Sequence, residues 1–177
     1  NIRNILTALG SFEILTNSLL KSDTAEKFGS PIKLLNPQSS EMSHLRPSLL
    51  PGMLQAISNN INVGEKNLQL FEIGKVFERK HENELKDFND FIEREELIIA
   101  LTGNKVETEW FQKDTNYDFY DLKGRIESFI SKLVPVSKIS IETFRNFSFF
   151  DYGIKIFINK ILIGIGGKVK NELLEVY

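Results

Sequence analysis

The side chains that most often carry out enzyme chemistry are scarce in this sequence. It contains no cysteine and two histidines, His44 and His81. The lack of cysteine excludes disulfides, thiolate zinc ligands and a cysteine nucleophile. The two histidines have no HxxxH-type spacing, no serine stands in a G-x-S-x-G elbow, and no G-x-x-x-x-G-K-[ST] phosphate loop is present. From motifs alone we therefore predict no catalytic, cofactor-binding or metal-binding residue.

Two carboxylates and two aromatic residues remain as candidates for chemistry. Glu72 and Glu78 could act as an acid–base pair only if burial shifted their pKa values, so we expect both at the surface or the rim of the fold. Trp110 and Phe111 could form a platform on which bases stack, but general burial statistics favour a buried anchor at a sheet edge. His44 is predicted to be a loop residue and not a base.

The composition is that of a globular protein with a packed core. Of 177 residues, 41% are hydrophobic and 26% are charged, which favours one domain over residues 1–177. The formal charge of -2 gives no field that would attract DNA or RNA. The apolar runs are shorter than the roughly 20 residues that span a bilayer, so we expect no membrane partner. The lack of cysteine fits a cytoplasmic protein, and the absence of an initiator Met suggests a piece of a longer polypeptide.

Hydrophobic periodicity and turn residues predict the elements of the first part of the chain. These are a helix over 2–9, a strand over 12–20, a helical turn over 24–28, a strand over 32–36 and a helix over 50–61. Gly10 favours a left-handed helix stop, Asp23 is suited to cap the helical turn, and Ser48 suggests a capped start for the last helix. The apolar stripe of that helix contains Leu50, Leu54, Ile57 and Ile61.

The second part of the chain is predicted to be richer in strands. The elements are a strand over 68–77, a solvated connection over 78–96, a strand over 96–103, a helix over 118–134, a strand over 138–144, a hairpin over 151–167 and a helical turn over 170–175. Both faces of the strand over 68–77 are apolar, which indicates a central strand. Asn159 and Lys160 form the hairpin turn. The fold class is α+β, a largely antiparallel sheet flanked by helices.

Three segments, in this order, resemble the core catalytic-like module of the bacterial phenylalanyl-tRNA synthetase β subunits. They are NPQSSEMSHLRPSLLPGMLQAISNN, LQLFEIGKVFE and DFYDLKGRIESFI. The first matches the family's Asn-Pro, Ser-x-Glu-Met-Ser and Leu-Arg-x-Ser-Leu-Leu-Pro-Gly pattern. The second matches its Leu-Phe-Glu-Ile-Gly-x-Val-Phe strand, and the third its Asp-Phe-x-Asp-Leu-Lys-Gly helix start. The resemblance covers nearly the whole chain.

The resemblance implies a class II aminoacyl-tRNA synthetase fold in a module that does not make the aminoacyl-adenylate. In catalytic class II domains the strand that corresponds to 68–78 ends in an arginine that neutralises the α-phosphate of ATP. Glu78 stands at that position here, and a carboxylate repels a phosphate by roughly 1–4 kcal/mol at about 4 Å. Arg79 is one residue further on, so a regular strand turns its side chain to the other face.

The resemblance also implies partners. The chain would pair with the catalytic α subunit in an (αβ)2 heterotetramer that uses ATP and magnesium, while this module holds no cofactor and other modules make most tRNA contacts. The candidate interface residues are Arg46, Leu49, Leu50, Leu54, Ile57, Phe71 and Ile73. Two alternatives are a synthetase paralogue that uses Arg79 or Arg46, and a free-standing tRNA-binding module that uses Lys75, Arg79 and Lys80 with Trp110.

Overall fold

The computed structural model describes residues 1–81, 87–105 and 114–177. Contacts divide the chain into two compact units. Unit 1 contains residues Asn1–Ser11, Glu65–Gln69 and Leu101–Tyr177, and unit 2 contains Phe12–Gly64 and Leu70–Ala100. A single domain over the whole chain therefore stays a prediction. Within the described ranges, no helix is long and apolar enough to cross a membrane.

Five α-helices and nine strands are assigned in the described part of the chain. In order they are α1 (Ile2–Ala8), β1 (Phe12–Glu13), β2 (Leu19–Leu20), α2 (Ser22–Lys27), β3 (Ile32–Lys33), β4 (His44–Leu45), α3 (Leu50–Asn62), β5 (Leu68–Arg79), β6 (Phe91–Thr102), α4 (Phe119–Ile130), β7 (Ile139–Phe147), β8 (Phe150–Ile158), β9 (Ile161–Val169) and α5 (Asn171–Leu174). Three sheets have the orders β1-β5-β6, β2-β4-β3 and β7-β8-β9. The α+β class is confirmed.

The strand predicted over 12–20 is wrong as a continuous element, because only its two ends are strand. Between them the backbone bonds to side chains: the Thr16 N–H donates to Glu72 at 3.3 Å and the Leu19 N–H donates to Asn17 Oδ1 at 2.9 Å. Such local bonds compete with a sheet ladder. The helical turn begins earlier than predicted, at Ser22, so Asp23 lies in its first turn and is not its N-cap.

The prediction of a central strand over 68–77 is confirmed, since β5 lies between β1 and β6. The solvated connection predicted over 78–96 is wrong at both ends, because β5 continues to Arg79 and β6 begins at Phe91. Charged residues can lie in these paired strands because opposite charges meet across them: Lys75 forms an ion pair with Glu93, and Glu78 forms one with Arg94. Cross-strand pairs of opposite charge stabilise a sheet.

Unit 1 is built on the antiparallel sheet β7-β8-β9, against which α4 packs. The predicted hairpin turn is confirmed, because Asn159 and Lys160 both have positive φ angles, 50° and 67°. Helix α4 is shorter than the predicted 118–134 and ends at Ile130. A Cβ at Gly166 of β9 would lie 3.4 Å from Ile126 of α4, so the helix approaches the strand closely there.

The apolar residues of β9 are exposed although two isoleucines of its neighbour β8 are buried. Ile154 and Ile156 of β8 are 0% and 4% exposed. The exposed side chains of β9 are Ile161, Leu162, Ile163 and Ile165, at 68%, 46%, 48% and 38%. The fold of unit 1 therefore leaves an apolar strand at one end of its described sheet.

Candidate functional site

A buried ion pair lies at the centre of unit 2. Arg46, which follows β4, places Nη1 2.7 Å from Glu72 Oε1 of β5, and their side chains are 5% and 1% exposed. The same guanidinium donates to the Lys75 carbonyl at 3.0 Å and to Thr16 Oγ1 at 2.8 Å. Thr16 in turn donates to Glu72 Oε2 at 2.7 Å. Such complete hydrogen bonding compensates the desolvation that burial of two charges costs.

The predicted surface position of Glu72 is therefore wrong, and the partnership of Glu72 with Arg46 and Thr16 was missed. A signal was present in the sequence. Glu72 interrupts an apolar run that was expected to be covered on both faces, and a buried carboxylate needs a cationic or hydrogen-bonding partner. His44 was also placed wrongly in a loop: it lies buried in β4, with Nδ1 2.9 Å from Ser43 Oγ.

Glycine is required where β5 passes the ion pair. A Cβ at Gly74 would lie 2.3 Å from Arg46 Nη2 and 3.1 Å from Leu49 Cδ2. The same Cβ would lie 3.2 Å from Glu72 Oε1, so Glu72 and Gly74 lie on the same face of β5, as expected for residues two apart in a strand. The face that meets Arg46 is therefore filled by the chain itself.

The resemblance predicts that the end of β5 corresponds to the position of the ATP arginine in catalytic class II domains. Glu78 Oε2 there accepts from Arg94 Nη1 at 2.6 Å, and Arg94 Nε donates to Glu96 at 2.7 Å. Partial burial opposes the charged form of Arg94, but the hydrogen bonds that Arg94 donates to Glu78 and Glu96 outweigh it and raise the pKa of Arg94. Glu78 is therefore paired with a cation of β6. Its side chain is 27% exposed, which places it at the rim as predicted.

Arg79 is the other cation at this end of β5. Its backbone N–H donates to the Ser30 carbonyl at 2.9 Å, and its Nε is buried without a hydrogen-bond partner in the described residues. Because it follows Glu78 directly, a regular pleat directs its side chain to the opposite face. That Arg79 cannot replace a phosphate-binding arginine stays a prediction.

Most of the predicted interface residues belong to the interior of unit 2. Arg46, Leu49, Leu54 and Phe71 are 4%, 1%, 5% and 0% exposed, whereas Leu50, Ile57 and Ile73 are half-buried. Ile61, which was predicted to belong to the apolar stripe of α3, is 39% exposed. The buried residues of α3 are Pro51, Met53 and Leu54. Contact of the seven candidates with an α subunit stays a prediction.

Two exposed apolar residues lie just before Thr16 in the chain. Phe12 of β1 and Leu15 are 73% and 83% exposed. The backbone between them is held in place, because β1 pairs in parallel with β5 and the Ile14 N–H donates to the Phe71 carbonyl at 2.9 Å. A Cβ at Gly52 would lie 2.3 Å from Thr16 Oγ1, so Thr16 also packs against the start of α3. Segment 12–16 thus presents two apolar side chains from a fixed backbone.

Of the residues of the two alternative functions, Lys75 and Arg79 lie in β5, and Lys80 follows it directly. Lys75 forms an ion pair with Glu93, whose hydrogen bond and charge raise the pKa of Lys75. Trp110 and Phe111 lie outside the described residues. In the parts of the chain that the structure does describe, no group of three or more His, Cys, Asp or Glu side chains could hold a metal ion.

The sheets and helices match solved structures of class II aminoacyl-tRNA synthetases. A pyrrolysyl-tRNA synthetase from Desulfitobacterium hafniense, PylSc, superimposes with a TM-score of 0.70 over 99% of this chain and 60% of its own, at 14% identity. A crystal structure of pyrrolysyl-tRNA synthetase from the same organism gives a TM-score of 0.68, also at 14% identity, over 99% of this chain and 60% of its own. The fold is therefore class II synthetase-like.

The family is more specific than the fold. The sequence profile described as "Phenylalanyl tRNA synthetase beta chain CLM domain" matches residues 1–177, and the chain belongs to this family. The phenylalanine–tRNA ligase β subunit of Salinibacter ruber is 37% identical over 147 residues, 77% of this chain and 18% of that protein. That of Fusobacterium nucleatum is 34% identical over 180 residues, 99% of this chain and 22% of that protein. The chain thus spans about a fifth of the length of these relatives.

Proposed function

We propose that this chain is a non-catalytic assembly module of a phenylalanyl-tRNA synthetase β subunit that pairs with the catalytic α subunit. It contributes contact surface and stability to an (αβ)2 enzyme in the cytoplasm. ATP, magnesium and phenylalanine are used by the α subunit, and other β modules make most contacts with tRNA. The module itself holds no cofactor.

The lack of catalysis is supported by the ion pair at the end of β5. Glu78 is 2.6 Å from Arg94, so the residue that the resemblance aligns with a phosphate-binding arginine is a carboxylate with its own cationic partner. An α-phosphate at that place would meet negative charge, and a pair of like charges opposes binding. Arg94 is shared between Glu78 and Glu96, so it is already neutralised by two carboxylates.

The pairing role depends above all on segment 12–16. Phe12 and Leu15 are largely exposed, yet their backbone is fixed by β5 and by the buried Thr16–Glu72–Arg46 cluster. Because the backbone is already ordered, little conformational entropy is lost when a partner covers the side chains. Apolar side chains at the centre of an interface contribute most of its affinity. Neither alternative function has a comparable supporting feature.

Co-purification tests this proposal directly. A tagged phenylalanyl-tRNA synthetase α subunit should retain a full-length β chain that carries this sequence, and the double variant Phe12→Asp/Leu15→Asp should reduce retention by at least about tenfold, the equivalent of 1.4 kcal/mol. Leu35→Asp is the matched control, because Leu35 is 98% exposed in the same unit. Equal retention of the double variant and the wild type would contradict the proposed surface.

A further inference from the structure

Unit 1 contains an open cleft that the assembly role does not use. It has a volume of about 810 Å³ and lies between the start of α4 and the β7–β8 hairpin. Three aromatic rings form a connected wall: Phe119 is in edge-to-face contact with Tyr120 at 5.7 Å and with Tyr152 at 5.6 Å between ring centroids. Tyr120 is 76% and Tyr152 is 42% exposed, so both rings remain open to a ligand.

The backbone of β8 is distorted where it lines this cleft. The register between β8 and β9 shifts between Phe150 and Tyr152, which places Asp151 in a bulge. In a regular strand, adjacent side chains point to opposite faces, and a bulge redirects one of them. Both Asp151 and Tyr152 consequently line the same cleft.

The charges of the cleft distinguish among possible ligands. Asp118 and Asp151 contribute two carboxylates and Arg145 one guanidinium. Asp118 Oδ1 accepts from the Asp121 N–H, and the charge of Asp118 also helps to raise the pKa of Lys105. Neither Asp151 nor Arg145 forms an ion pair with another residue in the described part of the chain. The excess of negative charge disfavours phosphates and nucleic acid.

We propose that this cleft is a binding site for a cationic side chain, a guanidinium or an ammonium, that a peptide presents. The cation lies against the faces of Tyr120 and Tyr152, where the ring quadrupole attracts positive charge. Asp118 and Asp151 supply charge-assisted acceptors, for which the planar donors of a guanidinium are well suited. Arg145 donates to a main-chain carbonyl of the same peptide, so the cleft recognises a basic residue within a chain.

Nuclear magnetic resonance of the isotope-labelled chain tests this site with N-acetyl-arginine amide as the probe. Saturable shifts should be confined to residues 118–120, 143–145 and 151–153. N-acetyl-citrulline amide, which is neutral and nearly the same shape, should bind about two- to fivefold more weakly, the factor that an exposed cation–π contact supplies.

Two variants and one control complete the experiment. Tyr120→Leu removes the ring face but keeps apolar bulk, and Asp151→Asn removes one charge; each should weaken binding of the probe by about two- to fivefold. Glu142→Gln changes an exposed carboxylate of β7 that does not line the cleft, and should leave binding unchanged. Equal binding of the citrulline probe, unchanged binding by both variants, or stronger binding of N-acetyl-glutamate amide or inorganic phosphate at the same residues would overturn the proposal.

Discussion

Arg46 and Glu72 lie 2.7 Å apart in the interior of unit 2, and both side chains are almost inaccessible to water. The pair links β5 to the segment before α3, and Thr16 bonds to both partners. A buried pair of this kind contributes little net stability compared with apolar residues of the same volume, but loss of one partner leaves an uncompensated buried charge. The two side chains therefore have to be considered as one unit.

Arg46→Met should lower the free energy of unfolding by about 3–5 kcal/mol, because it leaves the Glu72 carboxylate buried without its cation. The double variant Arg46→Met/Glu72→Met should be more stable than the single one, since no charge is then left buried. Urea unfolding followed by circular dichroism measures both. A single variant within about 1 kcal/mol of the wild type would show that the pair is not essential to the fold.

Two glycines of the same sheet should respond oppositely to an added methyl group. A Cβ at Gly153 would lie 2.1 Å from the Gly166 carbonyl oxygen, whereas a Cβ at Gly164 would lie 3.8 Å from the nearest atom, Ile156 Cδ1. Gly153→Ala should destabilise the chain by about 1–3 kcal/mol, because backbone atoms must move apart. Gly164→Ala should be neutral or slightly stabilising. Thermal unfolding compares the two, and equal losses would contradict the strand spacing described for β8 and β9.

The contact between Lys105 and Asp121 should make stability depend on pH at the acid end. Lys105 Nζ lies 2.7 Å from Asp121 Oδ2, and this hydrogen bond is the main reason why the pKa of Asp121 is lowered from 3.8. A carboxyl whose folded pKa is depressed contributes stability above its unfolded pKa, and this contribution disappears as the pH falls through the folded value. Lys105→Met should therefore lower the melting temperature near neutral pH but not at pH values well below 3.8.

The same contact between Lys105 and Asp121 should also make stability depend on pH at the alkaline end. The hydrogen bond to Asp121 raises the pKa of Lys105 from 10.5, so this part of the stability is present below that value and is lost as the pH rises through the folded pKa. Lys132→Met, at an exposed lysine of the same unit, is the control and should give parallel curves. A constant difference between Lys105→Met and wild type across the whole range would speak against the pair.

Isothermal titration with ATP and magnesium should show no binding tighter than millimolar. Glu78 repels the phosphates, and Arg94 is already paired with it and with Glu96. Glu78→Gln should bind ATP somewhat more tightly than the wild type, because one like-charge contact is removed, but still more weakly than millimolar. Micromolar binding by the wild type would refute the inactive role.

The elements that sequence reasoning predicted well are those that local signals define. The central strand β5 follows from its apolar faces, the start of α4 from Asp118 and Asp121, which form a reciprocal capping box, and the β8–β9 turn from Asn159 and Lys160. Each of these signals acts over a few residues, so no knowledge of the tertiary structure was needed.

The errors arise where distant residues decide the outcome. Thr16 leaves the predicted strand because Glu72, 56 positions away, accepts its N–H. The start of β6 is charged, and Arg94 is acceptable there because Glu78 faces it across the sheet. Four predicted interface residues, among them Leu49 and Phe71, are buried inside the chain. The sequence could not distinguish such burial from coverage by a partner, because both require apolar side chains.

The exposed isoleucines of β9 have a consequence for the solubility of newly made chains. Ile161, Ile163 and Ile165 give newly made chains an extended apolar segment of the kind that drives aggregation when it stays uncovered. Whether another surface covers this strand would then affect the solubility of the chain. Copies in which nothing covers this strand should aggregate more readily than copies in which it is covered.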